Sequence, residues 1–174
     1  MLKTKLTRPA VIMLLGLPGS GKSYTSTHIA DLLGMALVSE DKIRESLIEE
    51  PTYSKDEQAV VMQMMVMMTE QYLSLGIPVM FDAGLNKSAE RKNLREISRK
   101  FKADTLLIWL QVDQETARLR SKLSKKNSAS SSEKPFDITL ENFQAPHNED
   151  YIVVSGKHVF DSQKQIIIRK LREM

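Results

Sequence analysis

Eight consecutive residues, Gly16-Leu17-Pro18-Gly19-Ser20-Gly21-Lys22-Ser23, have the types and spacing of a phosphate-binding loop, G-x-x-x-x-G-K-S. Each type has a chemical reason to be there. The glycines permit positive φ and let backbone N–H groups turn inward as an anion nest. Lys22 supplies a point charge for the β- and γ-phosphates, and the Ser23 hydroxyl is a ligand for Mg²⁺. A helix beginning near Lys22 adds its positive dipole end. The expected nucleotide contacts are Gly16, Pro18, Gly19, Ser20, Gly21, Lys22, Ser23 and the adjoining Tyr24. A dinucleotide-binding loop, G-x-G-x-x-G, would need glycine at position 24, where the chain has Tyr24. The motif implies a nucleoside triphosphate ligand with Mg²⁺.

Two more clusters carry chemistry. Asp41-Lys42-Ile43-Arg44 is a D-x-x-R pair whose spacing places both side chains on one helix face. Such an aspartate could accept a proton from a hydroxyl, while the arginine holds a substrate phosphate or fixes the carboxylate. A helix N-terminus with a surface charge pair would look the same. The other cluster, Val79-Met80-Phe81-Asp82-Ala83-Gly84-Leu85-Asn86, is an apolar run ending in a carboxylate. Asp82 there suits a Mg²⁺ role beside Ser23; its plain alternative is a turn-capping aspartate.

The elements that must position these groups alternate. Apolar runs at 10–15, 35–38, 79–82, 105–112 and 151–154 read as strands. Between them lie helical stretches at about 22–33, from Ser39 to before Pro51, 55–75, after Ser88, 114–123 and 162–174, with Gly34 as a C-terminal cap and Ser88 as an N-terminal one. This is the pattern of an α/β fold, a five-stranded parallel sheet with helices on both faces. The methionine-rich run Val60–Met68 reads as a core helix in preference to a partner surface. Residues 124–135 are serine-rich and apolar-poor, and are expected to be mobile.

The whole chain sets further bounds. At 174 residues it suits one domain, 1–174. Without cysteine it has no disulfide framework and no thiolate metal site. No apolar run reaches membrane-spanning length, a leader peptide is not expected, and a cytoplasmic location fits. A net charge of +3 does not demand nucleic acid. His28, His147 and His158 share no metal-ligand spacing.

Taken together, Gly16–Ser23, Asp41-Lys42-Ile43-Arg44-Glu45-Ser46-Leu47, and Phe81-Asp82-Ala83-Gly84-Leu85-Asn86 with Arg91 resemble the small P-loop kinases. That group includes the kinase domain of phage polynucleotide 5′-hydroxyl kinase, zeta-toxin-like enzymes and chloramphenicol-phosphotransferase-like enzymes. The resemblance covers about 10–125 and returns at Phe143-Gln144-Ala145-Pro146 with Glu149. It implies ATP-dependent transfer of a γ-phosphoryl group to a hydroxyl, with Asp41 activating the acceptor and Arg44 beside it. Gly84 stands where the group's D-T-N-x-N pattern has asparagine. The resemblance also implies a lid, here about 116–148, that offers an arginine to the transferring phosphate. Arg118, Arg120, Lys122, Lys125 and Lys126 are the cations available, and Arg120 is the expected one.

The expected protein is therefore a kinase acting on a nucleic-acid end, a nucleoside or a small metabolite, with Asp41, Arg44 and Arg120 as catalytic residues. A nucleotide-binding regulator or toxin-like interaction protein, and a plain ATPase, are the rival readings.

Overall fold

The computed structural model describes residue 6, residues 8–127 and residues 136–174, and of 124–127 the backbone alone. Five strands, β1 (Ala10–Leu15), β2 (Ala36–Ser39), β3 (Val79–Asp82), β4 (Asp104–Gln111) and β5 (Ile152–Ser155), pair in the order β2-β3-β1-β4-β5. Every pairing is parallel. The α/β fold expected from the alternating pattern, a five-stranded parallel sheet with helices on both faces, is the one found.

A parallel strand covered on both faces must be apolar throughout, and β1 is buried at all six positions. Its residues divide by the two-residue period of a strand. Val11, Met13 and Leu15 pack into one core with Val61, Met65, Leu94 and Ile97, whereas Ile12 and Leu14 join Ile29, Leu33 and Ile167. The first core lies under helices α3 (Lys55–Ser74) and α4 (Ser88–Lys100); the second lies under α1 (Lys22–Leu33) and α7 (Phe160–Glu173). The sheet order reverses at β1, between β3 and β4. That switch point opens a crevice at the carboxyl ends of the strands, where open parallel sheets bind ligands.

Helix ends follow their caps. Gly34, at φ 66°, closes α1 by donating its N–H to the carbonyls of Ala30 and Asp31. Helix α2 (Glu40–Leu47) begins directly after β2, so Glu40 and Asp41 fall in its first turn. Ser88 is the first residue of α4 and not its cap; Lys87 holds that position, and its N–H donates to Glu90 Oε2 at 3.2 Å. A glutamate three residues into a helix closes on the cap backbone in this way.

The methionine-rich helix contributes one stripe to the core. Val61, Met65, Thr69 and Leu73 recur every four residues and are buried, while Val60 and Met67 are more than half exposed. Helix α5 (Gln114–Asn127) runs past the expected end at Leu123, since no glycine or proline interrupts it. The remainder of the stretch expected to be mobile, 128–135, lies outside the described residues. A short helix, α6 (Phe136–Glu141), stands where no element was anticipated. Among the described residues no helix is long and apolar enough to cross a membrane.

Candidate active site

The phosphate loop joins β1 to α1 and takes its shape from its glycines. Gly19 and Gly21 have φ of 80° and 98°, values that side-chain-bearing residues rarely adopt. Gly19 also lies hard against α5: a Cβ there would stand 2.2 Å from the Ala117 carbonyl oxygen. On the other flank Gly156, in the loop after β5, abuts the Ser20 carbonyl, which a Cβ would meet at 2.5 Å. The loop is thus clamped between two elements distant in sequence. Lys22 Nζ curls over it and donates to the carbonyls of Gly16 and Leu17 at 2.9 and 3.1 Å.

A small cavity of about 120 Å³ gathers Gly16, Pro18, Lys22 and Ser23 from this loop with Asp41 from α2 and Asp82 from β3. Three separate sequence clusters therefore meet. Asp82 is buried, and burial pushes its carboxyl above the usual carboxylate range against a hydrogen bond with Ser26 and the charge of Lys22. A divalent cation would supply the missing compensation, and the Ser23 hydroxyl faces the same cavity. One hydroxyl and one carboxylate suit Mg²⁺, which keeps most of its water and phosphate ligands. Among the described residues no group of three or more histidine, cysteine, aspartate or glutamate side chains could hold a metal.

The D-x-x-R pair divides its work. Asp41 lines the small cavity, whereas Arg44 is 1% exposed and stands behind it. Arg44 Nη2 donates to Glu40 Oε1 at 2.7 Å, Nη1 pairs with Glu57, and the guanidinium lies 4.6 Å above the Tyr53 ring. Burial alone would lower its pKa; the carboxylates of Glu57 and Glu40 raise it overall. Of the two roles expected of Arg44, holding a substrate phosphate or fixing a carboxylate, its pairing with Glu40 and Glu57 inside the wall is of the second kind. Glu57 is the hinge of that wall. Burial opposes its charge, but donors from Thr52, Arg44 and Tyr53 hold it at about 2.

Arg91 is buried likewise. Its Nη2 and Nε donate to Glu149 at 2.6 and 3.1 Å, and its Nη1 donates to the Leu85 carbonyl at 2.9 Å. The structure thus joins the two segments around Arg91 and Glu149 that the sequence set far apart. Gln144 adds to the joint, its N–H donating to the Asn86 carbonyl and its Oε1 accepting from the Ser88 N–H.

The expected lid cations lie at the edge. Arg120 is exposed and donates to the Gly156 carbonyl at 2.8 Å, beside the loop's flank and outside the small cavity. Arg118 ties α5 to α6 through Asp137 at 2.5 Å and stacks 4.7 Å from the Phe136 ring. Tyr24 is 58% exposed, with its ring 4.0 Å from that of His28, on the outer side of α1.

A second cavity, of about 680 Å³, adjoins the first and shares Glu40, Tyr53, Gly84, Asn86 and Thr139 with it. Glu40 Oε1 accepts from Arg44 and, at 2.9 Å, from Gln58, while Oε2 accepts from the Gly84 N–H at 3.3 Å. Glu40, Tyr53 and Thr139 carried no functional signal in the sequence beyond helix capping or loop composition. Glu40 could have been noticed only as the neighbour of Asp41.

A family model described as an AAA domain matches residues 11–148. No curated protein matches the chain. Among solved structures, Mycobacterium tuberculosis APS kinase in complex with AMPPNP and APS superposes with a TM-score of 0.73 at 20% identity, covering 96% of this chain and 99% of its own. A gluconokinase from Sinorhizobium meliloti 1021 gives 0.70 at 17% identity, covering 95% and 93%. A sugar kinase from Janibacter sp. HTCC2649 gives 0.68 at 16% identity, covering 94% and 95%. These likenesses establish a shared fold.

Proposed function

The chain belongs to the AAA-domain family, and on that premise we propose that it is an ATP-dependent kinase that phosphorylates a hydroxyl of a small metabolite. One observation carries the reading: Asp41 and Lys22 share a cavity that opens directly into a second one large enough for an acceptor. A plain ATPase needs only water beside the phosphate loop, and a nucleotide-binding regulator needs no carboxylate there. The APS kinase, gluconokinase and sugar kinase that share the fold point the same way. A polynucleotide 5′-end draws no comparable support.

In this reading residues 1–174 act as one domain and 116–148 form its lid, in the cytoplasm where ATP is abundant. Gly16, Pro18, Gly19, Ser20, Gly21, Lys22 and Ser23 hold the triphosphate, with Tyr24 just beyond them. Ser23 and Asp82 would hold Mg²⁺, which when bound neutralises charge on the phosphates. Asp41 accepts the proton of the attacking hydroxyl. Arg44 is a positioning residue that fixes α2 against α3, so that Asp41 keeps its place. Arg120 flanks the loop through Gly156 and is the lid cation nearest the nucleotide.

The test begins with the nucleotide. Lys22→Ala should remove ATP·Mg²⁺ affinity in calorimetry and leave the fold intact, since Lys22 Nζ donates to carbonyls of its own loop, those of Gly16 and Leu17. Unchanged affinity in the folded variant defeats the assignment. A screen of hydroxyl compounds for ADP release above the water background then separates a kinase from an ATPase.

A further inference from the structure

The second cavity has a charge and hydrogen-bond character that restricts what it can hold. Enzymes that grip a phosphorylated or sulfated acceptor use fixed arginines, whose planar fork matches such anions. Two arginines stand in the walls here, Arg44 at 1% and Arg91 at 0% exposure, and both are consumed by the chain's own carboxylates. Glu40 and Glu57 take Arg44; Glu149 and the Leu85 carbonyl take Arg91. Of the two guanidiniums only Arg44 Nε lacks a hydrogen-bond partner, and it is buried.

The groups that line the cavity include two carboxylates and an unpartnered amide oxygen. Glu40 and Glu90 are half-buried carboxylates. Asn86 Oδ1 is buried without a hydrogen-bond partner, at the passage shared by both cavities. The Gln58 amide donates one of its two N–H groups to Glu40. The lining cations, Lys55 and Lys87, are exposed at the mouth, so negative charge lies deeper than positive. A phosphate or carboxylate brings only acceptors and would face Glu40, Glu90 and Asp41 in a partly desolvated cleft. A hydroxyl brings a donor. Tyr53, Met62 and Ile138 supply apolar surface for a carbon skeleton, and about 680 Å³ lies in the range of small-molecule sites.

We propose that the acceptor is an uncharged polyhydroxylated small molecule, bound by hydroxyls that donate to Asn86 Oδ1 and the Glu40 and Glu90 carboxylates. The inference rests on the kinase reading above and names its substrate class. One hydroxyl, directed past Asn86 toward the phosphate loop, forms the new O–P bond. The bond between the γ-phosphorus and its bridging oxygen breaks, the proton passes to Asp41, and ADP leaves with a neutral skeleton turned into a phosphate monoester.

The experiment compares matched pairs on the full chain: D-ribose with D-ribose 5-phosphate, D-glucose with D-gluconate, and myo-inositol with its monophosphate. A short 5′-hydroxyl oligodeoxynucleotide is a further arm. Transfer from γ-labelled ATP gives kcat/KM, and saturation-transfer NMR without ATP gives binding. At least one neutral member should be used at ~10-fold or more higher kcat/KM than its anionic counterpart, the size expected from one unfavourable charge contact. Asn86→Ala should raise the neutral acceptor's KM by about 2- to 10-fold, the worth of one neutral hydrogen bond, with the KM for ATP unchanged. Met62→Arg, which adds a fixed cation to the wall, should narrow or reverse the preference. Faster transfer to an anionic member or to the oligonucleotide overturns the inference and leaves the kinase reading standing. Asn86-dependent binding of a neutral polyol without transfer overturns the kinase reading and, with it, the polyol's role as acceptor. If no neutral member binds or is phosphorylated, the inference is overturned.

Discussion

Gly16 to Ser23 form one contiguous run that carries its own ligand groups, whereas the larger cavity beside them takes its lining from residues up to about a hundred positions apart. At the phosphate end the loop's glycines set the turn, α5 and Gly156 clamp it from either side, and the charge that matters, Lys22, is carried where the loop enters α1. At the acceptor end α2, the 51–54 turn, α3, the 83–87 loop and α6 meet, and their charges cancel in pairs inside the wall. The first end presents positive charge to a ligand; the second hides it. Under the proposed kinase function a cleft built this way would separate recognition of the phosphate donor from recognition of the acceptor, so variants at the two ends should fail differently.

The largest expected effect lies at their boundary. Asp41→Asn keeps the shape and removes the base, so phosphoryl transfer should fall by ~10²–10⁴-fold while ATP affinity is kept. Because the transition state of phosphoryl transfer can be loose, the lower end of that range is expected. Wild-type rates from Asp41→Asn, with an acceptor known to be turned over, would reduce Asp41 to a helix cap.

The next effect distinguishes the ends by stability. Arg44→Ala leaves Glu40 and Glu57 facing each other without their cation, and breaking such a buried pair costs about 3–5 kcal/mol. Urea denaturation should show that loss for Arg44→Ala and almost none for Lys22→Ala. Equal midpoints for the two variants would mean that the wall is not held by its ion pairs.

The smallest effects are in pH, and their signs are opposite. Glu57 is depressed to about 2, and Glu149 is lowered by Arg91 and Arg95 despite its partial burial. A depressed carboxyl contributes stability above its unfolded pKa of roughly 4.3 and loses it as pH falls through its folded value. The acceptor end should therefore loosen between about pH 4 and pH 2, and Glu57→Gln should flatten that limb of an acid titration. Asp82 is raised, so without a cation the folded state holds its proton longer than the unfolded chain does, and stability falls as pH rises past roughly 3.9. Asp82→Asn should stabilise the nucleotide-free protein at pH 7 and change nothing well below pH 4. A destabilised Asp82→Asn at neutral pH would show that its carboxylate is already compensated within the fold.

The same contrast explains what the sequence disclosed. The phosphate loop is contiguous, so spacing alone identifies it, and β1 is apolar at every position because both its faces are covered. The sheet and its flanking helices followed from periodicity. Arg44 was visible, but its role was not, since Glu57 lies thirteen residues away across a turn. Helix α6 is six residues long, too short for any pattern to stand out, and it is held by Phe136 and Asp137 meeting Arg118. Ser88 looked like a cap because its type favours that position, yet Glu90 closed on the residue before it.

The clamps on the phosphate loop also govern how this protein can change. Any side chain at position 19 collides with the Ala117 carbonyl, and any at 156 with the Ser20 carbonyl, so single replacements there must displace a neighbouring element at the same time. Positions 55, 62 and 87, around the other cavity, already carry side chains and are exposed or half-buried. Mutational drift or directed evolution can therefore rewrite the choice of acceptor one residue at a time, while the grip on triphosphate stays closed to small steps.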